Sequence, residues 1–126
     1  MTQGILITPD FTFRAVAVEL SELREAEATP VYLDESTPFV AYPVEDAGAP
    51  NPAASMARNQ QSTGNPAFFA DPTKALVGDV VCVRADGSDV TEENLDAAGE
   101  IVRAAQAYSE DYPEEYALWK AAAGNI

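Results

Sequence analysis

Short apolar runs broken by turn-forming residues dominate the first half of the chain, and helical spacing dominates the last third. Ile5-Leu6-Ile7 and then Phe11 to Val18 are rich in β-branched and aromatic types. Thr8-Pro9-Asp10 separates them, with a proline that presets one turn dihedral and an aspartate that can bond the local backbone, so the pattern predicts a hairpin. From Glu19 to Ala28 the pattern changes. Leu20 and Leu23 stand one helical turn apart among charged residues, which predicts a short surface helix ended by Pro30. Val31-Tyr32-Leu33 and Phe39-Val40-Ala41-Tyr42, divided by Asp34-Glu35-Ser36-Thr37-Pro38, predict a second hairpin. Within Leu76 to Arg84, the run Val80-Val81-Cys82-Val83 is apolar on both faces and too short for a lone helix, as expected of a central strand.

The stretch from Asp46 to Pro72 is rich in Ala, Asn, Pro and Gly, which suits a connection holding a short helix. Asn51 can cap that helix and Pro52 can occupy its first position, where a missing N–H costs nothing. Gly64-Asn65-Pro66 would end this whole excursion, and Asn59-Gln60-Gln61-Ser62-Thr63 is expected to be the excursion's mobile part. After the turn signal Asp86-Gly87-Ser88, Thr91 can cap a helix reaching Ala107, with Glu92 and Glu93 against the positive end of its dipole. Leu95, Ala98, Ile101, Val102 and Ala105 then form one apolar stripe. Ser109 to Pro113 resets the chain, and Glu114 to Ala123 predicts a last helix closed by Gly124. The expected architecture is α+β. It is a single domain over residues 1–126, with a mostly antiparallel sheet of four to five strands, a packed helix and a short C-terminal helix, and residues 86–126 form its acidic helical part.

Charge changes the picture. The 126 residues carry 21 Asp and Glu against 7 Lys and Arg, a formal −14, with no histidine. Such a chain has few cations with which to displace the counterions around phosphates, so direct nucleic-acid binding and an anionic membrane surface are both disfavoured. A basic or nucleic-acid-binding protein is the partner class that this charge invites, although acidity also serves solubility alone. Cys82 is the single cysteine and lies in an apolar run, so no internal disulfide forms and a reducing cytoplasm fits. The N-terminus lacks the basic patch and long apolar stretch of a signal peptide, and no segment approaches the ~20 apolar residues of a membrane span.

Without histidine, neither a Ser-His-Asp nor a Cys-His arrangement can be assembled, and one thiol cannot build a tetrahedral zinc cage. Neither a phosphate-cradling loop ending in Gly-Lys-Ser or Gly-Lys-Thr nor a Gly-x-Gly-x-x-Gly turn is present, so no cofactor, metal or catalytic residue is expected. A carboxylate pair is the remaining catalytic resource, but 21 acids produce close pairs by chance, and Asp86-Gly87-Ser88-Asp89 lacks the spacing of a calcium loop. Tyr112, Tyr116 and Trp119 fall at i, i+4 and i+7 beside Glu110, Asp111, Glu114 and Glu115. Two readings compete. The rings close the core, or Tyr112, Glu114, Glu115, Tyr116 and Trp119 make a docking face with an acidic rim. Ten acids and two bases from residue 86 onward also raise a phosphate-mimicking surface, against the plainer reading of solvated helix faces.

The order of elements, with Asn51-Pro52-Ala53-Ala54 and Val77-Gly78-Asp79-Val80-Val81-Cys82-Val83, resembles the family catalogued as domain of unknown function 3846, small proteins of actinobacteria and their phages. The resemblance covers residues 4–84, and the acidic tail extends beyond it. That family has no established activity, so the resemblance implies no catalytic residues; it implies a phage setting in which small acidic proteins occupy a host protein. The expectation is therefore a non-enzymatic, cytoplasmic binding or regulatory module acting on a host protein. The alternatives are a DNA mimic of the antirestriction or anti-CRISPR type that inhibits a nucleic-acid enzyme and, more distantly, a carboxylate-dependent hydrolase.

Overall fold

The two N-terminal apolar runs pair as predicted. In a computed structural model describing residues 1–23, 28–35, 37–44, 48–64 and 75–124, Thr2–Ile7 forms β1 and Phe13–Val18 forms β2. A helical turn, Leu20–Leu23, follows as α1. The second hairpin is β3 (Thr29–Asp34) and β4 (Thr37–Pro43), α2 spans Pro52–Thr63, and β5 is Val80–Arg84. Two helices complete the chain, α3 (Glu92–Asp111) and α4 (Pro113–Gly124). All strand pairs are antiparallel and the order is β2-β1-β5-β4-β3, so the run read as central does sit in the middle. The fold is α+β.

Period-two alternation divides the side chains between two layers. Ile5, Ile7, Val31, Leu33, Phe39, Ala41, Val80 and Cys82 meet the helices, which answer mostly with small residues: Ala53, Ala54 and Ala57 of α2, and Ala98 and Ala105 of α3. Small side chains let the helix axes approach the sheet closely. Gly99 of α3 takes this furthest, because a Cβ there would lie 2.7 Å from the Phe13 ring of β2. On the opposite face Val81, Val83 and Tyr42 pack with Leu6, Val16, Val18, Val40 and the two leucines of α1. This second, thinner layer is why β5 is apolar on both sides.

Several expectations need correction. Asn59 to Thr63 is the last turn of α2, not a mobile stretch: Asn59 is buried, and the Thr63 hydroxyl donates to the Asn59 carbonyl at 2.9 Å. Gly64 closes the helix in the left-handed region at φ 76°, donating to the Gln60 carbonyl at 3.0 Å; Asn65 and Pro66 lie outside the described residues. Pro30 lies within β3, an edge strand that tolerates the missing N–H, and does not end a helix there. The part of the expected helix at residues 24–27 falls outside the described residues. Helix α3 runs past Ala107 to Asp111, since the Ser109 hydroxyl bonds back to the Gln106 carbonyl at 2.7 Å and leaves the helix intact. Thr91 caps it as expected, and Asn94 completes a reciprocal capping box: its amide donates to Thr91 Oγ1 at 3.1 Å while its Oδ1 accepts from the Thr91 amide at 3.0 Å.

Candidate functional site

Helix α4 begins where α3 stops. Tyr112 is the C-cap of α3, donating its amide to the Tyr108 carbonyl at 3.0 Å, and Pro113 then supplies a first helical residue that needs no N–H partner. Glu114 and Glu115 occupy the first turn, against the positive end of the dipole. Beyond them the sequence is Tyr-Ala-Leu-Trp-Lys-Ala-Ala-Ala-Gly, with Lys120 its only charged residue.

The helix rests on the domain along one narrow stripe. Tyr116, Trp119 and Ala123, at i, i+3 and i+7, face inward, and Trp119 is only 3% exposed. The rings of Trp119 and Tyr116 are 6.3 Å apart, and Tyr116 lies a further 6.3 Å from Phe11 at the tip of the first hairpin. Burial raises the Tyr116 hydroxyl pKa, and Lys120 places its ammonium 5.9 Å from the centre of that ring.

This geometry separates the residues proposed for docking. Trp119 packs in the core, and Tyr116 is half-buried beside it. Tyr112, by contrast, stacks obliquely on Tyr108 at 4.9 Å and stays 47% exposed, while Glu114 and Glu115 are fully on the surface. The outward side of α4 consists of residues that aromatic spacing did not single out: Ala117, Leu118, Ala121 and Ala122, all exposed, with Leu118 at 73%. The signal was there to read. A helix apolar on every side is normally covered on every side.

Acids are unevenly placed on the helical surface. Glu93, Asp96 and Glu100 descend one flank of α3, but the exposed positions from there to Glu110 are Arg103, Ala104, Gln106 and Ala107. That leaves a gap of ~15 Å without a carboxylate. On α4 the acids stop after the first turn.

Between α2, α3 and β3 lies a recess of about 240 Å³ lined by Tyr32, Met56, Ala57, Gln60, Glu100, Ile101 and Ala104. Its polar members are Tyr32, Gln60 and Glu100, and it is smaller than the ~300–1,000 Å³ usual for small-molecule sites. Among the described residues, no three His, Cys, Asp or Glu side chains group as they would around a metal ion. Cys82 is fully buried, which pushes its thiol up to about 12 and keeps it protonated at neutral pH. Comparison with family models, with curated proteins and with solved structures finds no match.

Proposed function

We propose that this protein is a non-catalytic binding module whose docking surface is the outward face of α4. A single observation carries the reading: α4 exposes Ala117, Leu118, Ala121 and Ala122 on the side away from its own domain, with acids confined to its first turn and the preceding junction. Isolated exposed leucines are ordinary on protein surfaces. Four exposed apolar residues in close succession, with Lys120 the one charged neighbour beyond the first turn, are not, and they suit insertion into an apolar groove of another protein.

Glu110, Asp111, Glu114 and Glu115 set the partner's chemistry, since a groove flanked by lysine or arginine would complement that end of the helix. A host protein is the partner class we propose, in keeping with the phage setting that the resemblance of residues 4–84 would imply. Phosphate mimicry has less support, because it needs continuous rows of acids, and both helices interrupt theirs. Hydrolysis by a carboxylate pair also has less support, because the recess between α2, α3 and β3 offers one carboxylate, Glu100.

Affinity capture from host lysate with the intact chain and with Leu118→Asp tests the reading. A basic protein retained by the first and lost by the second is expected, with Glu114→Gln plus Glu115→Gln weakening capture at low salt more than at high salt. Identical retained proteins for the intact chain and Leu118→Asp would overturn it.

A further inference from the structure

The sheet has two edges, β2 and β3, and they are built differently. Strand β3 carries Pro30 and an irregular register between Val31 and Asp34, and it ends in Asp34 and Glu35. Proline, a bulge and charge are the usual means of keeping an edge from pairing with another chain. Strand β2 has none of these except one charge, Arg14. Its six residues, Phe13-Arg-Ala-Val-Ala-Val18, keep an unbroken register with β1 from Thr2↔Val18 to Ile7↔Phe13.

The backbone of β2 presents its free groups in a defined order. Gln3 of β1 receives the Asp89 carboxylate on its amide at 2.9 Å, and its carbonyl accepts from Val90 at 3.1 Å, so odd-numbered residues of β1 turn their backbone groups away from β2. Consistently, the Thr8 amide donates to the Thr12 carbonyl at 3.0 Å, which places the even-numbered pairs in the bonded class. Phe13, Ala15 and Ala17 therefore direct N–H and C=O outward. Ala15 and Ala17 are exposed, and their small side chains leave room for another backbone.

Charge selects the occupant. Residues 1–18 hold one acid, Asp10, and one base, Arg14, so the entire −14 of the chain resides beyond them. The β3 edge ends in Asp34 with Glu35 after it, whereas β2 is the neutral edge. We propose that two copies of this chain pair β2 to β2, antiparallel about a two-fold axis, making one continuous sheet.

Facing residues of such a pair point to the same side, and the odd positions of β2 face the helical layer, as Phe13 does beneath Gly99. Odd must then oppose odd, which places the axis at Ala15 or Val16. With the axis at Val16 the two copies of Val16 face one another, with it at Ala15 they are diagonal neighbours, and both arrangements extend the apolar layer formed with Leu6.

Sedimentation equilibrium of the full chain over a range of concentrations, at low and high salt, reads this directly. A reversible dimer is expected, tightening as salt screens the repulsion between two acidic chains. Ala15→Pro removes an outward amide without touching the ladder to β1 and should weaken the dimer by at least about tenfold while the far-ultraviolet circular dichroism persists. Should the proline variant fold poorly, Ala17→Lys, which changes only an exposed side chain, is expected to weaken the dimer likewise. In amide exchange, Phe13, Ala15 and Ala17 should slow only at concentrations where the dimer forms. A chain monomeric throughout, or a dimer indifferent to both variants, would overturn the pairing. Leu118→Asp should leave the dimer unchanged, which separates this test from that of the α4 docking face.

Discussion

Asn51 shows how much one buried side chain can fix. Its Oδ1 accepts from the Ala54 amide at 3.1 Å, capping α2, while its Nδ2 donates to the carbonyls of Ile7 at 3.0 Å and Gly78 at 2.9 Å. The same residue's amide donates to the Leu76 carbonyl at 2.8 Å. The end of β1, the start of α2 and the approach to β5 are thereby tied to a single amide group with no solvent access. Removing it in Asn51→Ala loses a cap and takes a donor from two buried carbonyls, an expected cost of about 2–4 kcal/mol in denaturant unfolding. Asn51→Asp is nearly isosteric and still offers the cap an acceptor, but it turns a carboxylate toward those two carbonyls. It should destabilise more than alanine at neutral pH and recover on acidification as the carboxyl protonates. An aspartate variant as stable as the native chain would refute this accounting. Cys82 illustrates burial from the other side: its thiol should react with a water-soluble disulfide reagent only at the rate of unfolding, as a time course in mild denaturant would show.

Among the elements, the strands were legible because the apolar runs are short, β-branched and bounded by Pro, Asp and Gly, and the central place of β5 followed from an apolar pattern on both faces. The α2 cap at Asn51-Pro52 was legible for the same local reason. Its last turn was not: Asn59, Ser62 and Thr63 have weak helix propensity, and tertiary burial of Asn59 together with the left-handed Gly64 overrides it. The candidate site was half legible. Spacing placed Tyr112, Tyr116 and Trp119 on neighbouring faces but could not tell which side of α4 meets the domain, because Ala117, Leu118, Ala121 and Ala122 make the other side equally apolar. The two faces of α4 should respond differently to substitution. Trp119→Ala empties a core position and is expected to cost about 3–5 kcal/mol, whereas Leu118→Asp should stay within about 0.5 kcal/mol of the native stability. Comparable losses from both variants in thermal unfolding would mean that α4 is buried on both sides. At the α3–β2 contact, Gly99→Ala should destabilise despite its better helix propensity, because its Cβ meets the Phe13 ring, and Phe13→Leu should reduce that penalty.

Over the whole molecule, −14 acts on an already closed fold. The Arg84–Asp86 contact at 3.8 Å joins a partly buried arginine to an exposed aspartate and is worth little by itself. The carboxylates therefore mostly repel one another, and raising salt at pH 7 should raise the unfolding temperature rather than lower it. Ala15→Pro is the better chain for that measurement, since a salt-dependent dimer would add its own stabilisation to the native protein. Acid acts with the opposite sign at two sites. The hydroxyls of Thr8 and Thr12 bond the Asp10 carboxylate and hold its pKa below the ordinary 3.8; the hydroxyl and amide of Ser88 do the same for Asp86. A depressed pKa contributes stability that is present above the unfolded value and lost as pH falls through the folded one. Titration from neutral pH should relieve repulsion first, then loosen these two turns below about pH 4, seen as carboxyl-carbon shifts of Asp10 and Asp86 moving later than those of the other acids. If Asp10 and Asp86 titrated together with the bulk of the carboxylates, the hydroxyl contacts at the two turns would not be holding charge in solution.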